Sequence, residues 1–346
     1  MVHFLRITAI LCLFSGKVYS QDCDIRNLAF EGAGIRGIAY AGVIDVLEKN
    51  DRLGQVQKVG GTSAGAITAL MVSLGYTSTE IADLISSTQF RKFNDGRFMF
   101  PGGIARMKNL YGWYRGDRFT EWTAKIIEAK TANPDITFEE LSSLGYKDLY
   151  ITATSLNQQK LIVFSKENYP NMKVKDAVRI SVSIPLYFKA VFIDSQGAVH
   201  KKPNAGQNLD VVVDGGIIGN FPITIFDSIT TDSANNQHRV PNFQTIGVRI
   251  DSDQQIQHDA DSRELAPIQI RNLNDYMSAL YILVIENLNR HELTDDDWAR
   301  TISVSSVGIS PRIKRMSREE KERLIQSGRD YTMKYMSANC GTLVKP

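Results

Sequence analysis

Short apolar runs alternate along the chain with stretches whose apolar residues recur at helical spacing, and this predicts a mostly parallel sheet with helices on both faces. Ile25 to Glu31 predicts a strand, and the amphipathic stretch Ile38 to Asn50, stopped by Asp51 to Gly54, predicts a helix. A second apolar run, from Val56, breaks at Gly61-Thr62-Ser63-Ala64-Gly65 into the helical pattern of Ala66 to Gly75. Thr77-Ser78-Thr79-Glu80 has the spacing of a capping box and opens a helix that reaches Phe90. Helices are also predicted over Gly116 to Thr131, Ile136 to Leu144, and Val174 to Ile184, the last stopped by Pro185. Tyr150 to Leu156 and Lys160 to Ser165 alternate like paired strands, and Ala190 to Asp194 and Asp210 to Val213 are strands around a polar loop. Phe243 to Ile250 reads as a core strand and Ile268 to Leu288 as a long helix, with Ala279 to Ile285 as its buried part. A strand over Ala299 to Val307 and a helix capped by Ser317 and Glu320 complete the pattern.

One stretch breaks it. Arg91 to Arg115 mixes Gly96 and Pro101-Gly102-Gly103 with Arg, Lys, Phe, Met, Tyr and Trp. The preferred reading is a long loop that tucks its aromatics into the core; the competing one is a lid or a membrane-interface contact. The N-terminus differs too. Met1 to Arg6 is short and basic, Ile7 to Phe14 is apolar, and Val18-Tyr19-Ser20 suits a peptidase, so residues 1–20 are expected to be a cleaved secretory signal and 21–346 one exported domain. The apolar run is too short to span about 30 Å of hydrocarbon. Export leaves Cys23 and Cys340, either joined as a disulfide or present as two thiols. A net charge of +2, with cations and anions interspersed, gives no sign of nucleic-acid binding.

The chemistry gathers where strands meet helices. In Gly61-Thr62-Ser63-Ala64-Gly65 the turn from strand to helix is sharp enough to need small flanking residues, which leaves Ser63 beside the amides that open the helix. Upstream, Gly32-Ala33-Gly34-Ile35-Arg36-Gly37 fits G-x-G-x-x-G between a strand and a helix. A dinucleotide site would also need an acidic residue at the end of the second strand, and that strand ends instead in the serine turn, so no nucleotide is expected. The alternative is a loop of bare amides facing the same space as Ser63, with Arg36 adding positive charge. Asp214-Gly215-Gly216 ends a third apolar run, where the aspartate either caps a nearby turn or faces Ser63.

These stretches resemble the patatin-like phospholipase family. The likeness rests on Leu28 to Gly42, Gly60 to Ile67 and Val211 to Pro222, with weaker similarity through Ala177 to Phe188 and the C-terminal helices. Ala33 departs from the pattern, since many members have glycine there, and alanine suits the loop if its φ is negative. The resemblance implies a three-layer α/β/α fold and a lipid acyl hydrolase of phospholipase A or lysophospholipase type, with a phospholipid or other acyl-lipid substrate at a membrane or micelle surface. It also implies Ser63 as nucleophile, Asp214 as base and the amides of Gly32 to Gly37 as an oxyanion hole, without cofactor or metal. His200, His238, His258 and His291 lie in polar stretches without a glycine-marked strand end, so a dyad is expected in preference to a triad. Ser181 and Ser183 read as small packing residues, and Asp295-Asp296-Asp297 as a solvated cap. The rival expectations are an exported esterase or thioesterase on soluble acyl esters, and a catalytically weak lipid-binding protein.

Overall fold

The computed structural model describes residues 24–96, 99–201, 208–286, 290–311 and 315–340. The expected leader and Cys23 lie outside these. Cys340 is buried and carries a disulfide bond.

The strands in chain order are β1 (Asn27–Phe30), β2 (Lys58–Gly61), β3 (Gly112–Tyr114), β4 (Asp148–Ser155), β5 (Lys160–Phe164), β6 (Leu186–Phe188) and β7 (Val191–Ile193). They continue with β8 (Val199–His200), β9 (Asp210–Asp214), β10 (Ser228–Thr231), β11 (Gln237–Val240), β12 (Thr245–Asp251) and β13 (Thr301–Ser305). Helices α1 (Ala39–Lys49), α2 (Ala64–Ser73), α3 (Ser78–Ser87), α4 (Met99–Leu110), α5 (Asp117–Thr131) and α6 (Phe138–Ser143) precede α7 (Val174–Ser181) and α8 (Gly216–Gly219). Then come α9 (Asp253–Asp261), α10 (Leu273–Tyr281), α11 (Asp295–Ala299) and α12 (Arg318–Asn339). Among the described residues one sheet has the order β13-β12-β1-β2-β4-β9-β7-β8, with β5 on the far side of β4. It is parallel from β13 to β4, and antiparallel where β4, β9, β7 and β8 meet.

The register explains the layers. Phe30 lies level with Gly61 and Val248, and this row faces α1 and α2: the Phe30 and Tyr40 rings are 5.2 Å apart, and Gly61 lies against Gly65. The next row, Gly60, Ala29 and Gly247, has almost no side chain. It faces the segment Phe221 to Phe226, whose Ile225 and Phe221 fill the space above the two glycines. A row of small residues thus lets an irregular segment lie tight on one face, while the bulky row packs on helices. This is the mixed α/β fold that the periodicity predicts.

Four expectations change. Arg91 to Arg115 is not one loop: it contains α4 and β3, and β3 pairs with β6. Pro101 is tolerated because it falls in the first turn of α4, where its missing N–H would have no partner in any case. The long helix over Ile268 to Leu288 is shorter: α10 starts at Leu273 and passes into a π-helical turn, Ile282–Glu286. Nor is its end buried, since Leu280 and Leu283 are 44% and 54% exposed. Asp297 is no solvated cap; it is fully buried and bound to Arg239 and Arg300, while Asp295 and Asp296 are exposed. The capping boxes of α3 and α12 form as the sequence predicts.

Candidate active site

Strand β2 stops at Gly61, which lies level with Ile151 of β4; two residues further along β4, Ala153 lies level with Asp214. Since β5 occupies the other side of β4 over the same residues, β2 and β9 share one lane of the sheet and meet end to end. Ser63 and Asp214 lie at that junction. The two halves of the sheet each deliver one of them.

On the parallel side the turn is as tight as the motif requires. Ser63 has φ 51° and ψ −116°, a region that non-glycine residues occupy only when surrounding structure compels them. The compulsion is steric. A Cβ on Gly61 would lie 2.3 Å from the Gly65 backbone, and one on Gly65 would lie 2.2 Å from the Phe30 carbonyl oxygen. The Thr62 N–H donates to Phe30 O at 3.1 Å, and the Thr62 hydroxyl meets the Thr152 hydroxyl at 2.6 Å, which ties the turn to β1 and β4. Ala64 then opens α2, so Ser63 stands at the positive end of that helix.

The glycine loop lies across this turn. A Cβ on Gly32 would approach the Ser63 Cβ to 3.3 Å, and one on Gly37 would approach the Ala64 Cβ to 3.0 Å. Ala33 has φ −127°, the negative value that accommodates alanine, while Gly34 has φ +55° and lies against the Pro311 carbonyl. The six amides are not equivalent. Those of Gly32, Ile35 and Arg36 donate to Asn220 O, Pro311 O and Ala33 O, and Ala33 and Gly34 make no hydrogen bond through their N–H groups to the described residues. The Arg36 side chain folds back, with Nε donating to Ala33 O at 3.1 Å. It braces the loop.

Asp214 is 2% exposed. Burial pushes its carboxyl up to about 7, opposed by the Gly216 N–H, which donates to Oδ1 at 2.8 Å, and by the nearby Ser63 hydroxyl. Gly215 follows directly, against Thr152. Three histidines are elsewhere: His200 meets Asp194, His238 meets Asp232, and His258 is on α9. The side chain of His291 lies outside the described residues.

Several contributors escape a reading of the sequence. Ser181 Oγ accepts the Ser63 N–H at 2.9 Å, and Ser183 O accepts the Asp214 N–H at 3.0 Å, so these two serines do more than pack. Asn220 holds Gly32 from both sides: its Nδ2 donates to Gly32 O at 2.9 Å and its carbonyl accepts the Gly32 N–H. It belongs to the motif that begins at Asp214, the one signal that singles it out. Beneath the loop, buried Glu31 accepts the Ile250 N–H and pairs with Arg249, which continues to Asp251, Arg290 and Asp259. Although burial raises the Asp251 carboxyl, Arg249 and Arg290 hold it well below the usual range.

No group of His, Cys, Asp and Glu among the described residues has the arrangement of a metal site.

Comparison with known proteins finds relatives in sequence and in fold. The chain is 34% identical to the uncharacterized protein YqhO of Bacillus subtilis over 207 residues, which are 57% of this chain and 65% of that protein. It is 24% identical to the probable lipid hydrolase 463L of invertebrate iridescent virus 6, over 58% of this chain and 62% of that one. The alignment takes in less than two thirds of either relative. Among solved structures, VipD from Legionella pneumophila superposes with a TM-score of 0.58 at 14% identity, covering 91% of this chain and 67% of VipD, a likeness of fold. Residues 28–227 match the profile of a known family, and they take in the glycine loop, the serine turn and Asp214. The chain belongs to the patatin-like phospholipase family.

Proposed function

We propose that the protein hydrolyses acyl esters of phospholipids through a Ser63–Asp214 dyad. The observation that carries the reading is the junction of β2 and β9, where a serine in a forced backbone conformation meets a carboxyl that burial has made basic enough to take its proton near neutral pH. Asp214 accepts the hydroxyl proton as Ser63 attacks the ester carbonyl, and the oxyanion is held by the Ala33 and Gly34 amides at the head of the loop. The tetrahedral adduct collapses to an acyl-serine as Asp214 returns the proton to the departing alcohol. Water then repeats the sequence, and the fatty acid leaves.

The test is fatty-acid release from mixed phospholipid vesicles in the presence of a calcium chelator, with wild type, Ser63→Ala and Asp214→Asn compared. Release by wild type is expected to vanish in Ser63→Ala and to fall by about 10²- to 10⁴-fold in Asp214→Asn. Full activity in Asp214→Asn would remove the dyad. Silence of the wild type on every vesicle, with turnover of a soluble ester, would remove the phospholipid.

A further inference from the structure

Helix α4 presents two large apolar residues outward. Phe100 and Ile104 are 71% and 52% exposed, Lys108 is exposed, and Tyr111, just after the helix, is 49% exposed. The spacing of four, four and three residues puts all of them on one face. The helix is anchored through Trp113, whose ring lies against Gly103 and edge-to-face with Phe100 at 6.2 Å, and whose carbonyl accepts Arg106 Nε at 2.8 Å. A helix that buries Gly103 and exposes Phe100 and Ile104 departs from the arrangement of an ordinary surface helix.

The charge around this stripe is one-sided. Between Arg91 and Arg118 there are two acidic residues, Asp117, which pairs with Arg115 and Lys189, and Asp95. Asp95 is buried and occupied, accepting the Gly116 and Arg118 N–H groups at 2.6 and 3.0 Å. Arg91, Lys92, Lys108, Arg115 and Arg118 are exposed. Exposed aromatics and aliphatics flanked by cations, with one acid buried and the other held in ion pairs, complement a surface with an apolar interior and anionic head groups.

The stripe is also joined to the site. Strand β3 follows α4 and pairs with β6, Gly112 level with Leu186 and Tyr114 level with Phe188; Leu186 is itself 63% exposed. Buried Arg179 clamps the two segments, donating to Gly116 O and Arg115 O while bonded to Ser183 Oγ. From there Ser181 reaches the Ser63 amide and Ser183 the Asp214 amide.

We propose that the face formed by Phe100, Ile104, Lys108 and Tyr111 seats the protein on an anionic lipid surface and so presents the Ser63 site to the bilayer; this rests on the reading of the protein as a lipid hydrolase. The exposed face of α10, with Leu273, Tyr276 and Met277, leads into the π-helical turn Ile282–Glu286 that contacts α8, but it lacks the charge bias, having Arg271 and Asp275 nearby. It serves as the control.

The experiment compares sedimentation with vesicles of phosphatidylcholine alone or mixed with phosphatidylglycerol, using the full chain as wild type, Phe100→Ser/Ile104→Ser, Lys108→Glu, and Leu273→Ser/Met277→Ser. Hydrolysis of the vesicles and of a short-chain soluble ester is measured on each. Wild type is expected to prefer the anionic vesicles and to release them as salt rises. Phe100→Ser/Ile104→Ser should lose vesicle binding and hydrolysis at least tenfold while keeping soluble-ester turnover, and Lys108→Glu should lose about fivefold on anionic vesicles only. No vesicle binding by wild type, undiminished binding by the α4 variants, or loss confined to the α10 variant would each overturn the proposal. If the wild type sediments with vesicles through α4 yet releases no fatty acid, the docking face stands and the phospholipase reading fails.

Discussion

The two sides of the site are held by different physics. On the parallel side, Ser63 is placed by exclusion: backbone atoms come so close around Gly61 and Gly65 that one methyl group would not fit. On the antiparallel side, Asp214 is placed by desolvation, with the Gly216 N–H as backbone donor and the Ser63 hydroxyl nearby. The first side is therefore sensitive to volume and indifferent to pH, and the second is the reverse.

The largest effect comes from adding volume on the first side. Gly65→Ala would drive a methyl toward the Phe30 and Glu31 carbonyls, at 2.2 and 2.6 Å, and these are backbone atoms that cannot rotate away. It is expected to lower stability by about 3 kcal/mol and to abolish hydrolysis, read by denaturant melts and ester turnover. Gly54→Ala, where nothing lies within 4 Å, should change neither. Equal behaviour of the two variants would end the exclusion argument.

The second side should answer to pH. The ordinary aspartate value is 3.8, and the folded value is about 7. Below pH 4 the carboxyl is protonated in both folded and unfolded chains. As pH rises from about 4 to 7 the unfolded chain ionises first, so stability contributed by the neutral form is lost, to the extent of a few kcal/mol, and is gone above 7. Asp214→Asn has no such loss, so its melting temperature relative to wild type should climb over that window, and a constant difference would contradict the burial argument. Activity runs the other way. The base must be ionised, so kcat/KM for a soluble ester should reach half its maximum near pH 7.

Ser181→Ala is the smallest change and the one that separates the two sides. It removes the acceptor of the Ser63 N–H, worth about 1 to 3 kcal/mol, and leaves the partners of Asp214 in place. A fall in kcat of about tenfold is expected with the pH midpoint unmoved; a moved midpoint would mean that the two sides are not independent.

What could be read in advance follows the same division. The serine turn, the glycine loop and Asp214-Gly215-Gly216 are legible because a backbone approach that admits no Cβ leaves glycine as the sole solution, and glycines at fixed spacing are visible in a string of letters. Ser181 and Ser183 are not: a serine's partner depends on where a helix end arrives in three dimensions. Arg249 and Asp297 were hidden by the rule that charges belong on surfaces, which fails where Arg and Asp neutralise each other inside. The outward face of α10 is misread because helical spacing reports that a face is apolar and not which way it turns, and α4 is missed altogether because Pro101-Gly102-Gly103 reads as a loop.

Strand β1 has a second neighbour, and it carries a practical consequence. β12 pairs with β1 on the side away from β2, and residues 245–251 lie past the end of the family match at 227. A chain trimmed at that boundary would keep the loop, Ser63 and Asp214, yet it would turn β1 into an open edge with unpaired amides and strand Glu31 as a buried anion without Arg249. Such a fragment should aggregate on expression, although every residue of the proposed chemistry is in it.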